Sequence, residues 1–246
     1  NAKNCNSCAF GSQVESFVFG DEVEVIPRNL CSGMKKLTSV TLPNSVTSIG
    51  DKAFYNCTGL TSVTINSNAI VGKDYSSSSS LKDVFGSQVK MYVLGNSVTS
   101  IGNSAFSGCT ELTSVTIGEG VTYIGFDAFN GCTGLTSPIY NSRIFFYLPT
   151  SFSGAYAIPE GIESVAYYAF EGCTGLTSIT IPNSVISIGD GAFEGCTELT
   201  SVVWNAKNCN SCAFGNQVES FTFGENVEVI PASLCEGMIK LSEIAI

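Results

Sequence analysis

The residues of this chain best equipped for chemistry are its eleven cysteines, five of which recur in one frame. The frame reads AFYNCTGLTSVTI at 53–65 and returns at 105–117, 128–140, 169–181 and 192–204. A thiol in such a position could react, ligate a metal, form a disulfide or fill the core. Residues at the same position of successive repeats form a column. The column three residues before each predicted strand holds Gly11, Met34, Cys57, Gly86, Cys109, Cys132, Thr150, Cys173, Cys196, Gly215 and Met238. Because these substitutes are mostly small or soft and apolar, we expect reduced thiols packed in the core. The alternative is disulfides across neighbouring repeats, Cys109 with Cys132 and Cys173 with Cys196.

Two CxxC motifs raise the question of metal or redox chemistry. CNSC occurs at 5–8 and again at 209–212. A four-thiolate zinc site needs two such pairs close together, and these two lie nine repeats apart. The βαβ context of a thioredoxin-like motif is also missing. We therefore predict a local disulfide or plain packing at Cys5, Cys8, Cys209 and Cys212, with no metal site and no cofactor. Cys31 and Cys235 occupy a column filled elsewhere by phenylalanine, so we expect them in the core.

Composition argues against most enzyme mechanisms. Histidine is absent, which removes the commonest general base and the usual partner of a nucleophilic serine or cysteine. A glycosidase needs only two carboxylates about 5–10 Å apart, and Glu171 and Glu194 hold equivalent positions in consecutive repeats. Their counterparts are Tyr55, Ser107 and Asn130 on the turn side, where no cleft is expected. We interpret them as a solvated acidic edge and predict a non-enzymatic protein without catalytic residues.

The net charge of −10, from 11 basic and 21 acidic residues, opposes binding to nucleic acid or to an anionic membrane surface. No apolar run of eighteen residues is present, so no membrane insertion is expected in this segment. Residues 1–11 reappear unchanged at 205–215. We therefore expect the chain to be a window from a longer array, with any export signal or anchor outside it.

The elements that must position these residues are short strands of the pattern LxxVxI, as in LTSVTI at 60–65. Leu60, Val63 and Ile65 are predicted to point inward, and a second apolar pair such as Val46 and Ile49 follows in each repeat. The strand frame begins at Val14, Leu37, Leu60, Val89, Leu112, Leu135, Ser153, Leu176, Leu199, Val218 and Leu241. An irregular repeat precedes every two regular ones. One repeat cannot bury its own apolar face, whereas stacked repeats, here called rungs, can.

The run NSVTSIGDKAFYNCTGLTSVTI at 44–65 and its copies resemble the BspA-like leucine-rich repeats of bacterial cell-surface proteins. Irregular stretches such as 139–162 and 202–214 are similar to those of gut Bacteroidetes members. The resemblance implies a leucine-rich-repeat solenoid over 1–246 as a single domain. We expect a right-handed, β-rich stack of about eleven rungs with short parallel strands and mostly non-helical or short-helix turns.

The resemblance also implies an extracellular or cell-surface location and a role in recognition or adhesion. The expected partner is a protein, either a host matrix or plasma protein or a bacterial surface protein. Two alternatives stay open: a glycan-binding surface, and a structural spacer that presents another domain.

The predicted contact surface is the concave side, which receives the strand residues that lie between the inward positions. Two columns there are mostly serine and threonine, with apolar breaks at Met91, Val93, Ile139 and Ala157. Phe145, Phe146 and Tyr147 crowd one irregular repeat and cannot all point inward if that segment is extended. We therefore predict partner contacts at these seven residues. Trp204 and Tyr140 hold the frame position of Ile65 and are expected to point inward.

Overall fold

The structure is a computed structural model that describes residues 10–76, 78–207, 209, 214–232 and 234–246. It forms two compact units, Asn1–Leu135 and Thr136–Ile246. Each is a parallel β-solenoid with very little helix. Cys5, Cys8 and Cys212 lie outside the described residues, so the two CxxC predictions stay untested.

The first unit carries its main sheet on four parallel strands in the order β2-β4-β5-β7, and we call this sheet ladder 1. Two shorter parallel pairs, β1-β3 and β6-β8, run through the turns. The strands are β1 Val25–Ile26, β2 Ser39–Leu42, β3 Ser48–Ile49, β4 Ser62–Ile65, β5 Met91–Leu94, β6 Ser100–Ile101, β7 Ser114–Ile117 and β8 Tyr123–Ile124. Two short helices, α1 Asn68–Val71 and α2 Leu81–Phe85, lie in the long irregular repeat between β4 and β5.

The second unit carries its main sheet on five parallel strands in the order β11-β13-β15-β16-β17, and we call this sheet ladder 2. A four-stranded sheet in the order β14-β12-β10-β9 runs through the turns, and only its β9–β10 pair is antiparallel. The strands are β9 Ile139–Tyr140, β10 Ile144–Tyr147, β11 Ser153–Ala157, β12 Ser164–Val165, β13 Gly175–Ile181, β14 Ser187–Ile188, β15 Ser201–Trp204, β16 Ser220–Phe223 and β17 Glu243–Ala245.

The predicted strand frame is confirmed in most rungs. Of the eleven frames, nine give strands in the two ladders; residues 16–19 form no strand, and the frame at Leu135 gives the antiparallel β9. Within the frame, Val63 and Ile65 are fully buried, and so is Trp204, as predicted. In most ladder strands, for example β2, β4, β15 and β16, more and less buried residues alternate, which places the intervening serines and threonines on the outer face.

The column cysteines pack in the core, as predicted, and they also form hydrogen bonds between rungs. Cys57, Cys132 and Cys196 are buried free thiols. Each donates its S–H to a main-chain carbonyl 26 residues earlier in the chain, at Sγ···O distances of 3.0, 3.1 and 3.1 Å respectively. Burial raises the pKa of Cys132 and Cys196 to about 12, so both remain protonated donors at neutral pH.

In two irregular rungs, where glycine stands in the cysteine column, a glutamine side chain donates to a different carbonyl of the preceding rung. Nε2 of Gln217 donates to the carbonyl of Cys196 at 3.0 Å, and Gln88 bonds the preceding rung in the same way. A Cβ at Gly215 would lie 2.0 Å from the glutamine side chain, and the same crowding applies at Gly86. Glycine therefore makes room for the glutamine side chain that bonds the preceding rung.

The prediction that Tyr140 points inward is wrong. Tyr140 is 45% exposed, whereas its neighbour Ile139 is buried. The cause is Pro138, which stands at the frame position of Val63 and has no N–H to donate to a ladder. Instead of joining a ladder, β9 pairs antiparallel with β10, with Tyr140 opposite Phe145. Compared with a ladder strand, β9 therefore buries the opposite face, with Ile139 inward and Tyr140 outward.

Candidate partner-binding face

The exposed face of ladder 1 consists of two columns of side chains in continuous register. Strand pairing aligns one residue of each column from β2, β4, β5 and β7 in turn. The first column is Ser39, Ser62, Met91 and Ser114, and the second is Thr41, Thr64, Val93 and Thr116. Since neighbouring parallel strands lie about 4.8 Å apart, each column is a row of closely spaced hydroxyls with one apolar interruption at β5.

Ladder 2 presents the equivalent two columns, with more interruptions. The first is Ala155, Ser178, Ser201, Ser220 and Glu243, and the second is Ala157, Thr180, Val203, Thr222 and Ala245. Ala157 is exposed and Val203 is half-buried. The row of hydroxyls therefore ends in small apolar residues at β11 and in a carboxylate and an alanine at β17.

Other hydroxyl columns of the repeat are occupied in holding the rungs together. Ser45 and Ser184 donate to carbonyls 22 residues earlier, at 2.8 and 2.7 Å. Thr113 and Thr200, which directly precede ladder strands, donate to carbonyls 23 residues earlier at 3.1 and 3.4 Å. In the described part of the chain, by contrast, the side-chain hydroxyls of the strand-face serines and threonines of both ladders have no protein hydrogen-bond partner. These hydroxyls are available to an external partner.

The apolar interruption of ladder 1 lies between hydroxyl-bearing rungs. Met91 is 40% exposed and Val93 is half-buried. Tyr92, between them, points into the core and is fully buried. Lys90, just before the strand, is exposed beside them. The flexible thioether of Met91 and the isopropyl group of Val93 thus form a small apolar area with polar side chains around it. Such an area is a suitable contact for an apolar group of a partner.

Three of the seven predicted contact residues are buried: Ile139, Phe145 and Phe146. β10 is paired with β12 in the sheet of the turns, and the ring of Phe145 stacks on Phe170 at a centroid distance of 4.8 Å. A register irregularity between Phe145 and Tyr147 disrupts the alternation of β10, and two consecutive aromatic rings turn inward. The prediction of surface contacts is corrected for these three residues, while Tyr147 is half-buried.

The sequence prediction missed exposed aromatic residues in the turn columns. Tyr123 and Phe126 in the first unit are 49% and 50% exposed, and Tyr167 in the second unit is similar. Tyr123 pairs with Ser100 across β6 and β8, so a large ring stands where the neighbouring rung has a small hydroxyl. An aromatic residue in a column of small polar residues is the signal that would have identified them.

A polar cleft of about 340 Å³ opens in the first unit between the turn at 49–53 and the irregular segment at 73–84. Two of its carboxylates are used internally: Asp74 accepts from the N–H of Asn103 at 2.9 Å, and Asp83 accepts from the N–H of Ser80 at 2.8 Å. Among the described residues, no three Asp, Glu or Cys side chains come together to hold a metal ion. The bond to Asn103 ties the irregular segment to the following rung, and the bond to Ser80 caps α2.

The family model for the BspA type leucine rich repeat region, with six copies, matches residues 4–92, 85–156 and 145–246. The chain belongs to this family. No curated protein sequence matches it. Each column described above collects the residues at one position of the BspA-type repeat. In the described part of the chain, no helix has the length and apolar character required to cross a membrane.

Three of the solved structures to which the chain is similar are leucine-rich proteins of bacteria. A leucine rich cell surface protein from Faecalibacterium prausnitzii is 22% identical, with 98% of this chain and 87% of that chain covered and a TM-score of 0.36. A leucine-rich repeat protein from Bacteroides ovatus is 20% identical, with coverage of 100% and 70% and a TM-score of 0.43. The leucine rich repeat protein of T. pallidum is 24% identical, with coverage of 90% and 73% and a TM-score of 0.33.

Proposed function

We propose that this BspA-type chain is a non-enzymatic recognition module of the cell surface that binds a protein partner through the exposed face of ladder 1. The observation that carries the proposal is the set of strand-face hydroxyls without protein partners, interrupted by Met91 and Val93. Membership of a repeat family of bacterial surface proteins supports both the location and the role.

The composition of the face determines which kind of partner it suits. It is neutral apart from Lys90 at its margin, so a highly charged polymer gains little from it. Serine and threonine seldom dominate binding energy, whereas a desolvated apolar contact surrounded by polar groups does. The expected contact places an apolar side chain of the partner on Met91 and Val93, with the flanking hydroxyls bonding to its main chain.

The dimensions of the face limit its affinity. Four strands about 4.8 Å apart and four residues of about 3.3 Å each give roughly 14 by 13 Å, or about 200 Å². A stable interface buries about 800 Å² on each partner. The partner is therefore expected to extend beyond the strand face. Ala157 and Tyr147, which belong to the second unit, stay predicted partner contacts of that unit.

The test is a binding screen with the whole chain against host matrix and plasma proteins, bacterial surface proteins and a glycan array. The decisive variant is Met91→Ser combined with Val93→Thr, which gives β5 the residues that flank it in β4 and β7. Both changes lie on the outer face, so the fold should tolerate them. We expect at least a tenfold loss of affinity for the protein partner.

Val203→Thr is the matched control, because it makes the same kind of change in ladder 2 and leaves ladder 1 intact. Equal affinity of the double variant, the control and the parent for the captured protein would refute the assignment of the site. Binding to glycans alone would favour the glycan-binding alternative, and the absence of any binding would favour a spacer.

A further inference from the structure

One turn of the first unit lacks a main-chain hydrogen bond that other turns form with the rung that follows them. The donor is a residue in the left-handed backbone region. The bonds run from Asn29 to Asp51 at 3.2 Å, from Ser104 to Phe126 at 2.9 Å and from Tyr168 to Asp190 at 3.4 Å. Lys52 holds the same position with a φ of 57°, against 58°, 54° and 58° for the other three donors. Its N–H points the same way but has no acceptor in the described part of the chain.

The polar cleft of the first unit accounts for the missing bond. By alignment of the turns, the acceptor for Lys52 would be the carbonyl of Asp74, just before Tyr75, whose own N–H donates to Asn103 at 2.8 Å. The strand frames on either side of Asp74 are 29 residues apart, against 23 for most others. This extra length opens the cleft of about 340 Å³, with Lys52 on one side and Asp74 on the other. The cleft therefore separates a main-chain donor from the acceptor that other rungs supply.

The cleft also holds two cationic donors. Lys52 and Lys73 line it and are exposed, and neither ammonium group forms an ion pair among the residues that the structure describes. The ammonium of Lys73 lies over the ring of Tyr75, 4.7 Å from its centroid. A main-chain N–H in a left-handed turn and two ammonium groups are donors that bind a carboxylate through charge-assisted hydrogen bonds. This combination suits a ligand that carries one carboxylate.

The carboxylates of the cleft are held by other groups but keep acceptor capacity. Asp51 pairs with Arg28 of the preceding rung at 3.5 Å. Asp74 accepts a main-chain N–H through Oδ1 and Asp83 accepts one through Oδ2, which leaves the second oxygen of each for another donor. Together with Arg28, the two lysines balance the three carboxylates, so net charge does not repel an anion. The two remaining oxygens suit the hydroxyl groups of a ligand.

We propose that this cleft binds a hexuronate, a sugar acid that carries one carboxylate and several hydroxyls on one ring. The carboxylate binds the N–H of Lys52 and the two ammonium groups, and the hydroxyls donate to Asp74 and Asp83. A neutral sugar would leave the cationic donors uncompensated, and a simple carboxylate would leave the aspartate oxygens without a partner. The volume lies at the lower end of the roughly 300–1,000 Å³ of small-molecule sites, as one sugar ring requires. The inference does not depend on the proposed binding role of ladder 1.

The test measures binding of glucuronate and of galacturonate to the whole chain by isothermal titration calorimetry, with glucose and acetate as matched ligands. Glucose has the ring without the carboxylate, and acetate has the carboxylate without the ring. We expect a dissociation constant on the order of 1 mM for at least one hexuronate. Glucose and acetate should bind at least tenfold more weakly. Heteronuclear NMR spectra should show the largest shift of a main-chain N–H signal at or next to Lys52.

The variant that tests the site is Lys52→Gln combined with Lys73→Gln, which removes both ammonium groups and leaves the main chain intact. Lys35→Gln combined with Lys36→Gln is the matched control, because it removes the same charge from exposed residues of the same unit that do not line the cleft. The first pair should weaken hexuronate binding at least tenfold, whereas the control should bind like the parent. Circular dichroism melts check that both variants are folded.

Three outcomes would overturn the proposal. The first is that neither hexuronate binds the parent chain. The second is that acetate or glucose binds as tightly as the hexuronate, which would make the cleft a simple anion site or a neutral sugar site. The third is that the cleft variant and the control bind the hexuronate equally well, since binding would then occur elsewhere on the chain.

Discussion

Replacement of Gly189 by alanine should be the most damaging single-methyl change in the second unit, because two main chains approach each other at this turn. A Cβ on Gly189 would lie 2.5 Å from the nitrogen and 2.7 Å from the Cα of Tyr167 in the adjacent rung. No side-chain rotation can relieve contacts with main-chain atoms, so the rungs must move apart. That movement also weakens the hydrogen bond from the Gly189 N–H to Val165, now 2.9 Å.

The expected loss follows from these two contributions. Overpacking of a tight site costs about 1–3 kcal/mol, and a main-chain hydrogen bond contributes about 1 kcal/mol. We therefore expect Gly189→Ala to lower the free energy of unfolding by about 3 kcal/mol. With a urea dependence of about 2 kcal/mol per M, the unfolding midpoint falls by about 1.5 M.

The assay is urea unfolding followed by fluorescence of Trp204, the single tryptophan, which is fully buried in the same unit. Gly20→Ala is the control for the change of glycine to alanine itself, because no atom lies within 4 Å of the Cβ it would add. Its midpoint should stay within about 0.3 M of the parent value, since exposed substitutions seldom exceed about 0.5 kcal/mol. A Gly189→Ala midpoint as close to the parent as that of the control would refute the explanation by close approach.

Two further predictions concern buried polar groups. Tyr92→Phe should leave the melting temperature unchanged or raise it, because the Tyr92 hydroxyl is buried without a partner; Tyr75→Phe should lower it, since that hydroxyl donates to Ile70 at 2.8 Å. Circular dichroism melts of both variants compare the two, and equal losses would contradict the assignment. Burial raises the pKa of Cys196 from 9.0 to about 12, so between these values the folded thiol keeps a proton that the unfolded thiol loses. Its contribution to stability is therefore complete below pH 9 and declines as pH rises toward 12. Urea midpoints at pH 8 and 10.5 should fall less in Cys196→Ala than in the parent, and identical falls would argue against a buried, protonated thiol.

Much of the fold was predictable because every regular rung of a solenoid places a given frame position in a similar environment. A column of aligned residues reports the same site many times, so the apolar composition at Val63 or Ile65 identifies inward positions with little ambiguity. The same reasoning placed Cys57 in the core from its substitutes Met34 and Gly86. Composition alone did not reveal that the thiol donates to the preceding rung, because that bond depends on the distance to a main-chain carbonyl.

Column reasoning failed where the register changes. Pro138 ends ladder pairing and sends β9 into an antiparallel pair, which exposes Tyr140 and buries Ile139. The irregularity in β10 then turns Phe145 and Phe146 inward together. Both effects arise from pairing between segments that share no frame with the regular repeat, so no column predicted them. The sequence did signal where this happens, since Pro138 is the proline that stands within a strand frame.

The irregular repeat around β5 shows how departures from the pattern can be sorted into structural and functional ones. The change from cysteine to Gly86 is compensated by Gln88, which donates instead to the carbonyl of Cys57 in the preceding rung. Tyr92 replaces a smaller inward residue and packs edge-on against Phe106 at 5.0 Å, so it too belongs to the core. Met91 and Val93 have no such compensation: they lie on the outer face, where the residues aligned with them in β4 and β7 carry hydroxyls. Since they are not part of the packed core, we propose them as the contacts of a partner outside the chain.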